Sequence, residues 1–584
     1  MQLQKGKNNQ LVCPMNSHQV KTQYLTQKNI ANHFVNFFTN IGPTLAKNIK
    51  KCPDYHFSHF IYPVNSSIFL SPVTASEIIN IVYKFRSKTS CGHDDINMVI
   101  VKKVVTYIIQ PLVHICNKSF ETGIFPDQMK IAKILPLYKS GNNKVFSNYR
   151  PVSILPQFSK ILEKLFYNRL ISFVKTNNIL HEGQYGFREN CSTSLALMEL
   201  CENISHNMDI NHKTVGVFID LKKAFDTIDH CILQQKLIHY GIRGIASDWL
   251  RSYLSNRNQY VMFNGINCDK KQIVCGVPQG SILGPILFLL YINDLANISN
   301  KLKFILYADD TNVFCTGQNC VSVIKTMNDE LKKLSIWFQL NKLSVNVDKT
   351  NYMLFGNWDL NKKLVVNVDG ININRVNVTK FLGIMVDDKL SWKQQIDTVC
   401  RNLSKNVSIL YKIKHLIGSK YLYTLYCSLI FPYLYYACEI WGNVYESNLS
   451  KVKILQKRAL RIVNKSHYRD HTDPIFVKYN CLKFIDIVKM KILVIMYQAS
   501  NGNLPLNIQK CFTSVHQSCH YVTRAKTNNN YNVKYCKTKL RSRAISIYGV
   551  KLWNDLDVNI KNVKNISQFK TILKKQFIGV YSNS

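Results

Sequence analysis

Two adjacent carboxylates, Asp309 and Asp310, stand between two apolar runs, and this arrangement constrains the fold more than any other feature of the chain. Upstream is Phe304-Ile305-Leu306-Tyr307; downstream is Thr311-Asn312-Val313-Phe314. The pattern predicts strand, tight turn, strand, with both acids at the tip. Two like charges side by side are costly unless a cation neutralises them. Hard oxygen ligands on a rigid hairpin suit Mg²⁺. A third carboxylate on a neighbouring strand would complete a two-metal site for phosphoryl transfer, with ions roughly 3.5–4 Å apart. Asp220 is the candidate, because it closes the apolar run Val215-Gly216-Val217-Phe218-Ile219. A carboxylate at the end of a buried strand is held rigidly, as metal geometry requires. Taken by itself, such an Asp is more often a helix N-cap; its partnership with Asp309 and Asp310 reverses that preference.

Charge narrows the partners. The 584 residues carry 75 Lys plus Arg against 35 Asp plus Glu, a formal net charge of +40. That excess favours a polyanion, since each Lys or Arg that meets a phosphate releases counterions. The 31 Tyr and 29 Phe add flat faces on which bases can stack, although most are expected in the core. The 18 cysteines include no Cys-x-x-Cys and no regular spacing, which argues against a disulfide framework and against a ribbon-type zinc site. Reduced thiols in the cytoplasm or nucleus are the expectation. Cys511, His516, Cys519 and His520 form a compact set of possible zinc ligands, but their spacing fits no standard zinc pattern. The N-terminus shows no apolar signal region, so the chain is expected to be intracellular and not secreted. The uncharged run Tyr421–Cys438 approaches the length of a membrane span. It is Tyr-rich, carries Pro432 and ends at Glu439, so a helical pair in a core is expected and no membrane partner.

Periodicity gives an alternation of helices and strands. One amphipathic helix is expected near Ile30–Ile41, another run from Ser76 to Phe85, and a helix over Val99–Phe120 interrupted at Pro111. Short strands are expected at Lys133–Lys139 and Arg150–Leu155, then a helix over Phe158–Val174. After the strand ending at Asp220, a helix is expected over Ala224–Tyr240, paired strands at Gln259–Phe263 and Lys271–Cys275, an apolar helix over Ser281–Leu295, the acidic hairpin, and a helix over Val321–Leu340. Basic helices dominate from Ser391 to about Asn501. Length suggests about three or four domain-sized units, and no Gly/Ser- or Pro-rich linker divides them.

Two further pieces bear on chemistry. Gly276-Val277-Pro278-Gln279-Gly280-Ser281 crowds Gly and Pro into a turn before a helix, whose N-terminal N–H groups favour a phosphate or a close backbone approach. Taken alone, an ordinary loop with an N-cap is the better reading. Lys349, in Asn346-Val347-Asp348-Lys349-Thr350, follows another helix; a lysine near the metals can protonate departing pyrophosphate as a general acid.

In order, the pieces resemble the reverse transcriptase of non-LTR retrotransposons, the jockey-like and CR1-like group. They are Asn148-Tyr149-Arg150-Pro151-Val152-Ser153, Gly186-Phe187-Arg188, Phe218-Ile219-Asp220-Leu221-Lys222-Lys223-Ala224-Phe225-Asp226, Gly276 to Pro285, and Tyr307-Ala308-Asp309-Asp310. Phe381-Leu382-Gly383 with Leu390-Ser391-Trp392 is similar to the family's block before the thumb. The resemblance covers about residue 30 to the C-terminus.

The resemblance implies an α+β right-hand polymerase: a polar N-terminal extension (1–69), fingers (70–210), a palm with an antiparallel sheet (211–385), a helical thumb-like region (386–500) and a basic C-terminal region (501–584). It assigns Asp220, Asp309 and Asp310 to two Mg²⁺ ions, with Mn²⁺ a possible substitute. Phe225 looks like the aromatic gate that excludes a ribose 2′-hydroxyl. Gln279, with Gly280 beside it, resembles the residue next to the incoming nucleotide. Arg150 and Arg188 resemble finger residues near phosphates or template. The implied partners are an RNA template, a DNA primer or target, and dNTPs. Departures from the family include Gly92-His93-Asp94-Asp95 where a Gly-x-Asp-Gly turn is common, and no recognisable Cys/His knuckle. No endonuclease pattern precedes residue 70, so the expectation is a product lacking the N-terminal endonuclease. The alternatives are an RNA-templated RNA polymerase, against which Phe225 argues, and a catalytically inactive RNA-binding relic.

Overall fold

A computed structural model describes residues 27–49, 56–359, 364–518 and 524–582. The architecture is mixed α+β, and the chain divides into two compact units that do not follow chain order. The first unit takes residues up to His181, then Asp220–Asn300 and Glu330–Asn346; the second takes Glu182–Ile219, Lys301–Asp329 and Val347 onward.

Strands are numbered in chain order. In the first unit, β1 (Ile131–Tyr138) pairs antiparallel with β2 (Tyr149–Ile154) and parallel with β4 (Arg257–Phe263). β5 (Ile266–Asn267) and β6 (Lys271–Ile273) both add antiparallel to β4. The helix Gln27–Lys47 lies within the segment set apart as an N-terminal extension, yet it joins this unit's core. Ile30, Phe34 and Phe38 fall on one helical face and pack with Ala132, Ile134, Phe146 and Val261. Phe34 is fully buried, and burying such a ring contributes about 1.5–3 kcal/mol. A second nucleus is aromatic: Trp249 stacks on Phe166 at 4.2 Å and meets Phe120 and Phe125 edge-on.

Three expected helices have different limits. Val99–Phe120 is two helices, Met98–Val104 and Ile109–Thr122. Pro111 sits in the first turn of the second, where its missing N–H leaves no bond unmade, so the break falls before it. Ala224–Tyr240 is a short 3₁₀ turn, Ala224–Asp226, followed by a helix over His230–His239. Lys223 has a left-handed φ of 50°, and the Asp229 side chain caps Ile232; each stops a continuous helix. Ser281–Leu295 is a helix over Leu283–Ile292 that tightens into 3₁₀ from Asn293.

In the second unit the main sheet has the order β12-β9-β3-β8-β7. β3 is Lys213–Ile219, β7 Lys303–Tyr307, β8 Asp310–Gly317, β9 Asn351–Phe355 and β12 Asn374–Arg375, while β10 (Asn367–Val368) and β11 (Ile371–Asn372) form a separate antiparallel pair. β3 is central and antiparallel to both β8 and β9. It is buried from Thr214 to Ile219, which accounts for an apolar run without alternation. β13 (Val378–Phe381) and β14 (Ile384–Asp387) form a hairpin ahead of the helix Lys393–Ile413. The Asp387 carboxylate accepts N–H bonds from Lys389, Ser391 and Trp392 and so fixes the entry into that helix. Amphipathic helices Glu446–Asn464 and Phe484–Ser500 continue the same core, which also takes in Trp553 and Phe569 of the last eighty-odd residues. The run Tyr421–Cys438 is indeed a broken helix, Ser419–Leu429 then Phe431–Tyr435. It buries Leu422, Tyr426, Ile430 and Leu434 on one side and exposes Tyr421 and Tyr433 on the other. Among the described residues no single helix is long and apolar enough to cross a membrane. All described cysteines are free thiols.

Candidate active site

The acidic turn is built within the second unit. Tyr307 pairs with Asp310, so the loop between β7 and β8 is only Ala308 and Asp309. Both aspartates are exposed while Ala308 is buried. Ala308 adopts φ 55°, a conformation that costs an L-residue about 1–2 kcal/mol. The segment before Phe187 holds it. Gln184 forms a parallel bridge with Leu306, Tyr185 N–H donates to Leu306 O (2.8 Å), and Leu306 N–H donates to Gly183 O (2.8 Å). Gln184 Oε1 then accepts from the N–H groups of Ala308 (3.0 Å) and Gly186 (2.8 Å). A Cβ on Gly186 would stand 2.3 Å from the Ala308 nitrogen, so only glycine fits under the turn. Arg188 folds back, donating from Nη1 to the Gln184 carbonyl oxygen at 3.1 Å. The Gly-Phe-Arg motif thus braces the acidic hairpin, a role that its sequence did not announce.

Strand register and chain order locate two more candidates. Ile219 faces Thr311, and Asp220 is the next residue in the chain. Phe218 faces Asn351, and the exposed Lys349 comes two residues earlier.

The remaining candidates belong to the first unit. Asp220 is half-buried; its Oδ2 accepts from Asn346 Nδ2 (2.8 Å) and its carbonyl from Asn346 N–H (2.7 Å). Asn346 was not singled out from sequence, since an Asn after a helix carries no signal of its partner. Phe225 stacks on the buried Phe288 with centroids 4.3 Å apart, and its carbonyl accepts from Val277 N–H (3.0 Å). Gln279 donates from Nε2 to Asp226 (2.8 Å). Its carbonyl accepts from Ser153 N–H (2.9 Å), which docks the Gly276–Ser281 loop on β2, the strand that carries the exposed Arg150. Burial pushes the Asp226 carboxyl up to about 6, against the Gln279 bond and the Lys223 charge. His230, whose Nε2 meets the Gly276 carbonyl at 2.7 Å, is held below its ordinary value by burial.

Of the two readings of the Gly276–Ser281 turn, the capped loop is the one seen: the N-terminus of the helix after Ser281 is not open to a phosphate. The buried Glu163 carboxylate accepts from Ile282 N–H (2.7 Å) and Leu283 N–H (3.3 Å), and Ser281 Oγ accepts from Gly284 N–H (2.9 Å). A carboxyl group already occupies that N-terminus, and it is the protein's own.

For a divalent ion, Asp220, Asp309 and Asp310 supply the right donor type, hard oxygens at strand ends. Among the described residues no group of three or more His, Cys, Asp or Glu is placed so that it could hold a metal ion, so the fit lies in donor chemistry alone. Of the second possible metal set, Cys519 and His520 lie outside the described residues. Cys511 Sγ rests on the Asn507 carbonyl, and the His516 ring meets Asn529.

Comparison with known proteins gives the following likenesses. A family described as reverse transcriptase (RNA-dependent DNA polymerase) matches residues 139–386, which includes β2, β3, the Gly276–Ser281 loop and the acidic hairpin. The chain is 27% identical over 459 residues to the probable RNA-directed DNA polymerase from transposon BS of Drosophila melanogaster, covering 75% of this chain and 49% of that protein. It is 27% identical over 418 residues to the RNA-directed DNA polymerase from mobile element jockey of the same species, covering 69% and 45%. A third relative, the probable RNA-directed DNA polymerase from transposon X-element, is 26% identical over 406 residues, covering 68% and 44%. The chain spans about half the length of the curated relatives it matches.

Proposed function

We propose that the chain, whose residues 139–386 match the reverse transcriptase (RNA-dependent DNA polymerase) family, is the RNA-directed DNA polymerase of a non-LTR retrotransposon. It extends a primer 3′-hydroxyl with dNTPs on an RNA template. The observation that carries this reading is the exposed Asp309-Asp310 pair at the end of a sheet whose central strand runs into Asp220. We assign the fingers to 70–210, the palm to 211–385 and the thumb-like helices to 386–500, with a basic region beyond.

In this reading Asp220, Asp309 and Asp310 hold two Mg²⁺ ions. Bound there, the ions lower the pKa of the primer hydroxyl and neutralise the triphosphate. Asn346 orients the Asp220 carboxylate through its 2.8 Å bond. Lys349, exposed two residues before β9, is placed in the chain to give a proton to the leaving pyrophosphate. Phe225 presents its ring where a ribose 2′-hydroxyl would collide, supported from behind by Phe288. Gln279 and Gly280 lie along the nucleotide, with Arg150 and Arg188 toward phosphate or template. The excess of 75 basic over 35 acidic residues supports binding of template and primer. The reading places the protein in the cytoplasm or nucleus.

The test is Mg²⁺-dependent extension of a primed RNA template by the purified chain, with Asp309→Asn alongside. Losing a partner of a metal ligand costs about 10–100-fold, so losing the ligand itself should exceed that range. Extension that survives Asp309→Asn overturns the site. Salt-dependent RNA binding without extension identifies a non-catalytic RNA-binding protein. Preferential use of rNTPs identifies an RNA-templated RNA polymerase.

A further inference from the structure

We propose that Gln184 is a positioning residue for the acidic turn: its amide oxygen clamps the Ala308 and Gly186 N–H groups and so sets where the Asp309 carboxylate points. The functional half of this proposal rests on reading Asp309 and Asp310 as metal ligands.

Three observations within the second unit converge. The clamp geometry itself is bidentate, with Ala308 N–H at 3.0 Å and Gly186 N–H at 2.8 Å on one atom. Two backbone donors meeting one side-chain atom identify that atom as the oxygen, whatever the ambiguity of an amide elsewhere. Next, the turn needs restraint. Ala308 sits at φ 55°, uphill for any residue with a Cβ, and it is half of a two-residue loop. Returning Ala308 to the right-handed side would rotate the peptide that leads into Asp309. Last, the clamp is seated rigidly. Gln184 is 3% exposed, it is bridged to Leu306, and Gly186 approaches Ala308 so closely that a Cβ would stand 2.3 Å from its nitrogen. The arrangement fixes the main chain at Ala308, the residue immediately before Asp309.

The buried Gln184 Nε2 has no hydrogen-bond partner among the described residues. It is therefore the oxygen, and not the amide as a whole, that matters. This makes Gln184→Glu the conservative change, because it retains an accepting oxygen in either protonation state. Gln184→Met keeps the length and removes the acceptor.

Two measurements separate the clamp from the reading on which it rests. Hydrogen exchange reports the clamp without any activity: the Ala308 and Gly186 amides are expected to be protected in the unmodified chain. In Gln184→Met they should exchange about tenfold faster, with the Leu306 amide unchanged. Primer extension as a function of Mg²⁺ reports its purpose. Gln184→Met should lose about tenfold or more in kcat and need severalfold more Mg²⁺ for half-maximal rate, with the KM for template–primer unchanged. Gln184→Glu should restore most of both. Because Gln184→Met removes a buried bond and can fail to fold, Ala308→Gly gives a second arm. If the clamp sets the turn, glycine at 308 keeps the protection of its own amide and the Mg²⁺ requirement. Free exchange at Ala308 in the unmodified chain overturns the clamp, as does a raised Mg²⁺ requirement in Ala308→Gly. So does a Gln184→Met protein that matches the unmodified one, or a loss shared equally by Gln184→Glu with template–primer KM rising in step. Failure of the unmodified chain to extend a primer counts against the reading of the site and leaves exchange to decide the clamp.

Discussion

Gln279 donates from its amide nitrogen to the Asp226 carboxylate across 2.8 Å. The pair joins the first residue after Phe225 to the loop that begins at Gly276, whose N–H and that of Val277 also bond to carbonyls of the same 225–228 stretch. Burial raises Asp226 from 3.8 to about 6. A carboxyl raised in the folded state binds its proton more tightly there than in the unfolded chain. Stability therefore falls as pH rises through the window between those two values, and the deficit is complete above it. Asp226→Asn keeps an acceptor for Gln279 and removes the titration. Its unfolding free energy relative to the unmodified chain should rise from about pH 4 to about pH 7, by on the order of 2 kcal/mol. Thermal or denaturant unfolding of both proteins across that range decides it. A difference that does not change with pH would mean that burial of the charge is not the cause.

Phe225 tests the choice of sugar. Its ring lies on Phe288 at 4.3 Å and 23°, and Phe288 is fully buried in the helix Leu283–Ile292. A gate needs a rigid back, and this stack supplies it. Discrimination by shape in one contact is worth about ten- to a hundredfold. Phe225→Ala should relax dNTP preference over rNTP by that amount in single-nucleotide incorporation. Phe288→Ala, which leaves the gate ring but loosens its support, should relax it less. Unaltered sugar preference in Phe225→Ala removes the gate.

The two kinds of site residue differ in how far the sequence discloses them. The places of Asp309, Asp310 and Asp220 at strand ends were legible because periodicity sets them: an apolar run must end somewhere, and an acid at that end is conspicuous. Gln184, Asn346 and Glu163 were not. Each acts on main-chain N–H groups or on a side chain distant in sequence, and a backbone donor has no residue type to betray its partner. The docking of the Gly276–Ser281 loop on β2 is hidden for the same reason, since Ser153 N–H and Gln279 O are both main-chain atoms. The apolar composition after Ser281 announced a helix correctly. That its N-terminus is already filled by Glu163 depends on a helix more than a hundred residues earlier. Helix limits were lost where a local side-chain bond, such as the Asp229 cap, outweighed continuous periodicity.

Gly280 should tolerate no side chain. Its φ is 136°, and a Cβ would stand 2.4 Å from the Ser153 carbonyl oxygen. That oxygen belongs to the residue whose N–H holds Gln279, so relief of the clash would pull the loop from β2. Gly280→Ala should lose about 1–3 kcal/mol from backbone strain alone, read from the denaturant midpoint. It should also lower incorporation more than stability, with the KM for dNTP raised. A variant of unchanged KM would place the nucleotide elsewhere.

Lys236 and Asp294 form an ion pair 2.5 Å long with both side chains fully buried. Lys236 also donates to the Tyr291 carbonyl (2.7 Å), Asp294 accepts from Trp337 Nε1 (2.8 Å), and the ammonium lies 4.8 Å from the Trp337 ring centroid. Burial pulls the Lys236 pKa down and the Asp294 charge opposes it. The pair ties the helix His230–His239 to the end of Leu283–Ile292 and to the helix that carries Trp337. Removing one partner leaves an uncompensated charge, which costs about 3–5 kcal/mol, whereas replacing both by apolar groups of similar volume is often near neutral. Lys236→Met should therefore be severely destabilised. Adding Asp294→Leu should recover most of that loss, apart from about 1 kcal/mol for the orphaned Trp337 N–H. Denaturant unfolding of the four proteins in the cycle measures the coupling. Additive losses would show that the two charges are stabilised by their other bonds and not by each other.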